Sequence, residues 1–152
     1  MAASAMTMFS KNKSDFRLTD IVGSTVKIAL ITSAWTPDAT VTGNSLFADM
    51  SANEISGVNG YTSGGITLST LVNPTVTGGY KFSSASPVWT ASGGSIAAWR
   101  YAVMYISGTV WSKVNPVLGY FVGDNTPADI PATTNGNTLT LTVPAAGWFD
   151  IT

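Results

Sequence analysis

Ser24-Thr25-Val26-Lys27-Ile28-Ala29-Leu30-Ile31-Thr32-Ser33 is the stretch on which the fold turns. Val26, Ile28, Leu30 and Thr32 recur at every second position, three of the four are β-branched, and together they mark one face of a β-strand. A second long segment, Ile96 to Ile106, is apolar at its odd positions (Trp99, Tyr101, Val103, Tyr105) and at most of its even ones (Ala98, Ala102, Met104, Ile106). A strand apolar on both faces needs cover on both sides, so this one is predicted to lie centrally in a sheet or between two layers.

Outward from these two segments the chain reads as short strands separated by Gly, Pro and Asn. Ile66-Thr67-Leu68-Ser69, Tyr80-Lys81-Phe82, Pro87-Val88-Trp89-Thr90, Asn115 to Val122, Thr138 to Val143 and Trp148 to Thr152 are the further strands. Val72 to Val76 contains Pro74, which cannot donate to a ladder, and is predicted as an edge strand. Leu139, Leu141 and Val143 point inward, and Asn135-Gly136-Asn137 is predicted as a hairpin turn. Asn44 to Met50 is predicted as one helical turn. Short strands at this spacing with these turns make an all-β domain, an antiparallel β-sandwich or barrel-like fold with at most one or two short helices. No linker divides it: residues 17–152 form one β-domain, and residues 1–16 an N-terminal arm.

That arm opens with small and apolar residues, Met6, Met8 and Phe9 among them, and is then interrupted by Lys11-Asn12-Lys13-Ser14-Asp15. Two readings stand, a frayed terminus or an arm that orders on a neighbouring subunit. In either case removal of residues 1–15 leaves the domain folded. A short helix over residues 14–22 is expected, with Ser14 as its cap and Gly23 as its stop.

Composition limits the chemistry. The chain has 152 residues, enough for one domain with its own core. Charged residues make up 10% and hydrophobic ones 45%, against about 25% charged in an ordinary soluble domain. The surface must then be covered by Ser, Thr, Asn and Gly, which suits protein contact. Lys plus Arg number 7 and Asp plus Glu 8, with no basic cluster of the kind phosphate binding requires, so nucleic acid is not an expected partner. Cys and His are absent, which removes the usual zinc, copper and haem ligands, and no cofactor is expected. No apolar run is long enough for a membrane helix, and the first residues lack the pattern of a secretory signal.

Acid–base catalysis without His falls to carboxylates, Lys and Tyr. The acidic residues are scattered and mostly sit in turns, where Asp caps the backbone. Asp124 and Asp129 are the best pair for a carboxylate-only hydrolase, the least favoured reading. The Asp124-Asn125-Thr126 loop is read as an Asx turn rather than a calcium loop. Serines lack an activating base. The expectation is a protein that is not an enzyme. Of the tryptophans, Trp99 and Trp148 sit in apolar runs and are assigned to the core. Trp35 and Trp111 lie near loops and are assigned to an interface, together with Met6, Met8, Phe9 and Phe16.

Four stretches, two of them overlapping the segments above, carry a resemblance. They are Val26 to Asp38 (Val-Lys-Ile-Ala-Leu-Ile-Thr-Ser-Ala-Trp-Thr-Pro-Asp), Ala52 to Gly65 (Ala-Asn-Glu-Ile-Ser-Gly-Val-Asn-Gly-Tyr-Thr-Ser-Gly-Gly), and Val88-Trp89-Thr90 followed by Ala98 to Tyr105. In this order the chain resembles a family of small tailed-bacteriophage virion structural proteins over residues 16–122. The Asn-Glu…Gly-Tyr-Thr-x-Gly-Gly stretch is its most specific part, while the Ala/Met-rich arm before Phe16 departs from it. The resemblance implies a virion location, the capsid surface favoured. It implies a capsid decoration (cement) protein whose partners are the major capsid protein or other virion proteins, or alternatively a tail or fibre component that binds protein or glycan surfaces. A cement protein gains from avidity, so a homo-oligomer is expected, a trimer favoured.

Overall fold

The computed structural model describes residues 6–124, 126 and 128–152. Its centre is a five-stranded sheet made from β1 (Thr7–Met8), β2 (Thr25–Ile31), β3 (Ile66–Thr67), β7 (Tyr101–Ser107) and β10 (Val117–Val122). Their order is β1-β10-β7-β2-β3, with every pairing antiparallel. Tyr101 to Ile106 of the doubly apolar segment lie in the middle strand, as their pattern requires, whereas Ile96 and Trp99 before them leave the sheet and bridge to Thr133 and Ile130. β2 and β7 pair over their full lengths, from Thr25 opposite Ser107 to Ile31 opposite Tyr101.

The alternation of side chains builds two cores, one on each face of this sheet. Val26, Ile28 and Leu30 of β2 and Ala102, Met104 and Ile106 of β7 face the larger one. Ala29, Ile31, Val103 and Tyr105 face the smaller one. β2 is thus buried on both sides, which its one-face alternation did not show. β10 adds an extra residue opposite β7 between Val117 and Gly119, a bulge. Because of it Val117 serves the smaller core while Leu118 and Phe121 serve the larger.

Short strands cover the larger core. β6 (Val88–Thr90) pairs with β11 (Thr138–Thr140), and β5 (Gly79–Phe82) lies between β4 (Thr75–Val76) and β12 (Phe149–Ile151). Trp89, Leu139, Phe82 and Phe149 from these strands, with Trp148 beside them, fill the core. β4 is an edge strand, as Pro74 suggests. The domain is an all-β, antiparallel assembly of small sheets without barrel closure. Its only α-helix among the described residues is the single turn α1 (Leu18–Val22), ended by Gly23. Ser14 does not cap it: Ser14 lies in a 3-10 segment, Ser10–Asp15, and Arg17 holds the capping position with no side-chain bond. Phe47–Asp49 is the helical turn expected near residue 47, in 3-10 form.

The Asn135-Gly136 turn is not a hairpin. Thr133 before it bridges to Ile96, whereas Thr138 after it pairs with Thr90, so the turn hands the chain from one partner to another.

Irregular chain covers the smaller core, and here the arm is corrected. Thr7 and Met8 pair with Tyr120 and Gly119, extending the main sheet. Phe9 is fully buried. Asn12 is buried too, and its Nδ2 donates to the Ser45 and Val117 carbonyls at 2.7 and 2.8 Å. From Met6 onward the segment belongs to the domain, because the second face of the sheet needs this cover; residues 1–5 of the expected arm lie outside the described residues. Truncating Phe9 to Ala is accordingly expected to cost about 3–5 kcal/mol. Deletion of residues 1–15 is expected to lower stability at least as much, read as a fall in the urea midpoint. A deletion variant as stable as the full chain would restore the free-arm reading.

Candidate interaction surface

Two hairpin strands after β7, β8 (Thr109–Val110) and β9 (Lys113–Val114), project Trp111 toward the N-terminal segment. Trp111 and Ser112 occupy the turn with φ of 54° and 58°, the left-handed backbone of a two-residue hairpin. Such backbone is costly for residues other than Gly, and tertiary contacts hold it. The Trp111 indole Nε1 donates to Asp20 Oδ2 at 3.0 Å, and Lys113 pairs with Asp15. The Trp111 ring lies 5.5 Å from Phe16, which lies 6.4 Å from Phe149, which lies 5.3 Å from Phe82 in the core. One line of aromatic contacts thus runs from the surface to the interior.

Beside this line the N-terminal segment and the last strand leave an open groove of about 360 Å³, lined by Met8, Lys13, Phe16, Asp150, Ile151 and Thr152. Ile151 is 43% exposed and sits directly opposite Tyr80, itself 50% exposed. Their strand neighbours two residues away, Phe149 and Phe82, are buried on the same face. The β4–β5–β12 sheet therefore overruns the core and carries its apolar face into solvent.

Of the residues assigned to an interface from sequence, Met8 and Phe16 line this groove and Trp111 supports it. Met6 is partly buried and packs over Gly119, where a Cβ would fall 2.5 Å from its sulfur. Phe9 and Trp35 are corrected. Both are buried in the smaller core, with ring centroids 6.3 Å apart. Trp35 meets Tyr101 and Tyr120 edge-on at 5.3 and 5.6 Å, because the loop after β2 folds back over the sheet. Its indole is no surface anchor or glycan platform. Lys13, Asp150, Ile151 and Thr152 were missed. The alternation that puts Ile151 on the face of Phe149 was legible, but the approach of residues 8–16 to β12 was not.

Asp129 takes the Arg100 Nε–H at 2.8 Å and the Ser33 hydroxyl at 3.2 Å. Asp124 accepts from the Thr126 backbone N–H and hydroxyl, each at 2.9 Å, which holds its carboxyl below the usual range. Each carboxylate is occupied by its own local partners, and the Asp124–Thr126 bonds are those of an Asx turn. Asn125 of that loop lies outside the described residues.

The Asn53-to-Gly65 stretch has a structural task. Glu54 Oε1 accepts from the Tyr61 hydroxyl at 2.6 Å and the Gly64 N–H at 2.7 Å. The Tyr61 oxygen in turn accepts the Leu30 N–H at 2.9 Å, and the Tyr105 hydroxyl donates to the Gly64 carbonyl at 2.7 Å. A Cβ on Gly65 would fall 1.9 Å from the Ile28 carbonyl oxygen, and φ there is +75°. The loop is clamped to the centre of β2 by these contacts. Beside it, β3 and β6 leave a second open space of about 290 Å³ lined by Gly60, Gly65, Trp89 and their neighbours.

Compared with family models, with curated proteins and with solved structures, the chain matches none of them.

Burial and the Glu54 carboxylate push the Tyr61 hydroxyl far above its ordinary pKa, and burial followed by the Glu54 charge pushes Tyr105 up from 10.0 to about 12. A raised phenol pKa in the folded chain means that the unfolded chain releases its proton first as pH rises. The stabilisation is complete below pH about 10 and is lost as pH climbs through about 12. A Tyr61→Phe variant should lose about 1–3 kcal/mol at pH 7, since the Leu30 N–H and Glu54 each lose a buried partner. Its stability should also fall less steeply with alkali than that of the unaltered chain; equal slopes in urea melts at pH 8 and pH 11 would refute the assignment.

Proposed function

We propose that this protein is a bacteriophage virion structural protein, a decoration (cement) protein that binds the major capsid protein and stabilises the shell. The observation that carries the reading is the overrunning sheet and its groove, where the N-terminal segment, the β8–β9 hairpin and β12 present Met8, Phe16 and the Ile151–Tyr80 pair beside the core. Such a surface binds by area and shape, which is what a clamp on a shell needs. The motif series from Val26 to Tyr105 supports the virion assignment through the family it resembles. The charge-poor surface, 10% charged residues, lowers the desolvation cost of a broad protein contact. In this role the chain performs no catalysis.

The rigidity of the domain fits the task. A clamp that deforms under load transmits little force, and a sheet whose middle strands are buried on both faces resists deformation. The copies act as a homo-oligomer, so that weak individual contacts add through avidity.

Mixed with purified capsids of its own particle, the protein should co-sediment with the shell and raise the temperature at which the shell opens. Phe16→Ala with Ile151→Ser should reduce binding by about tenfold or more while the isolated domain still folds. A protein that stays in the supernatant and is missing from purified virions would end this reading.

A further inference from the structure

Asn59 and Asn135 are each followed by a glycine, Gly60 and Gly136. In such a pair no side chain on the following residue shields its backbone nitrogen from the asparagine amide carbon. The two pairs are held very differently. Asn59 Nδ2 donates to the Ser95 carbonyl at 3.0 Å, and the Asn59 carbonyl accepts the Ser92 N–H at 3.1 Å. Its amide lies against Gly94, where a Cβ would fall 2.7 Å from Cγ. Gly60 abuts the Thr90 carbonyl oxygen, 1.9 Å from an added Cβ. The next residue is Tyr61, buried and clamped between Glu54 and the Leu30 N–H. Asn135, in contrast, sits in a turn whose residues, Thr134 to Thr138, are all exposed, and its amide has no hydrogen bond among the described residues. A Cβ at Gly136 would meet nothing within 4 Å. The turn is held by the Gly136 N–H on the Ala91 carbonyl at 2.9 Å, the Asn137 N–H on the Thr134 carbonyl at 3.0 Å and Asn137 Nδ2 on the Thr134 hydroxyl at 2.6 Å.

From this contrast we infer that Asn135 is a site of spontaneous deamidation and that the fold protects Asn59. The Gly136 nitrogen attacks Cγ of Asn135. A C–N bond closes a cyclic succinimide, the Gly136 nitrogen gives up its proton, and the side-chain nitrogen leaves as ammonia. Water then opens the ring at either carbonyl. One opening leaves aspartate; the other leaves isoaspartate, whose main chain runs through the former side chain. Water is the only co-reactant, and nothing is oxidised or reduced. The Gly136 N–H must first leave the Ala91 carbonyl, so the rate follows local opening of the turn, and exposed segments with few apolar contacts open most readily. Opening at Asn59 would break the Ser95 and Ser92 bonds and pull on Tyr61. Each event turns a neutral amide into a carboxylate and takes the formal net charge from −1 to −2. Isoaspartate also lengthens the backbone between Thr133, bridged to Ile96, and Thr138, paired with Thr90. The reaction belongs to the chain alone and is independent of the virion reading.

The purified chain, kept at mildly alkaline pH, tests this by ion exchange and by peptide mapping with mass spectrometry. An acidic form should accumulate, and its aspartate and isoaspartate should map to position 135. In the folded protein Asn135 should react at least about tenfold faster than Asn59, whose opening breaks two hydrogen bonds and disturbs a buried tyrosine. In concentrated guanidinium chloride, where neither pair is held, the two should react at similar rates. Asn135→Gln should stop the main acidic form from appearing, because the longer side chain closes its ring far more slowly. Three results would each overturn the assignment: an acidic form that persists at the same rate in Asn135→Gln, reaction at Asn59 as fast as at Asn135 in the folded chain, or no product at Asn135 over a period in which the denatured chain has converted.

Discussion

The structure depends on one constraint: β7 is apolar on both faces, so both must be covered. Ala102, Met104 and Ile106 need one core and Val103 and Tyr105 another. A slip of one residue against β2 or β10 would exchange the faces and strand a tyrosine among the close-packed residues of the larger core. The register from Thr25–Ser107 to Ile31–Tyr101 is therefore strongly specified, and the remaining elements are arranged as cover. Regular strands supply it on one side. On the other it comes from loops, and buried loops must find partners for their backbone groups. They do so through bonds such as Ser10 N–H to Ala39, Phe47 N–H to Asn115 and Thr32 N–H to Asn53. Asn12 ties two of these segments to the sheet with one amide.

What was legible in the sequence follows from the range over which each signal acts. Strand alternation is local, so β2, β7 and β11 could be read directly, and the all-β class with them. The proline at position 74 marked an edge because a missing N–H is a local fact. The second core was not legible, since the residues that build it are far apart: Phe9, Trp35, Phe47 and Val117 meet only in the folded chain. Lacking that core, the reading left Phe9 and Trp35 with no place to be buried, and exposure was the default. The Asn135-Gly136 turn failed in the same way. Its tight geometry is local, but which strand each flank pairs with is decided by β6 and the bridge at Ile96.

The candidate site shows the converse. The stretch most conspicuous in sequence, from Asn53 to Gly65, is a clamp that fixes a loop to β2 through Glu54 and Tyr61. Its glycines are needed because the backbone of β2 passes too close for a side chain, as the 1.9 Å approach at Gly65 demonstrates. The groove residues are inconspicuous by comparison, an ordinary Lys, Asp and Ile near two chain ends. Of the groove, the sequence showed only Met8, Phe16 and the nearby Trp111, as apolar residues in a segment with no evident core.

Two outer strands border the groove or supply its residues. β12 is the outer strand of its sheet, and β1 is the outer strand of the main sheet. Outer strands carry unpaired backbone groups and invite pairing with other chains unless something blunts them. β1 is only two residues long and passes straight into a 3-10 segment, which limits its exposed ladder. In β12 the middle residue is Asp150, a charge that disfavours strand pairing with an unselected partner. One charged residue thus discourages indiscriminate association along an open edge whose sheet face carries the exposed Ile151 and Tyr80.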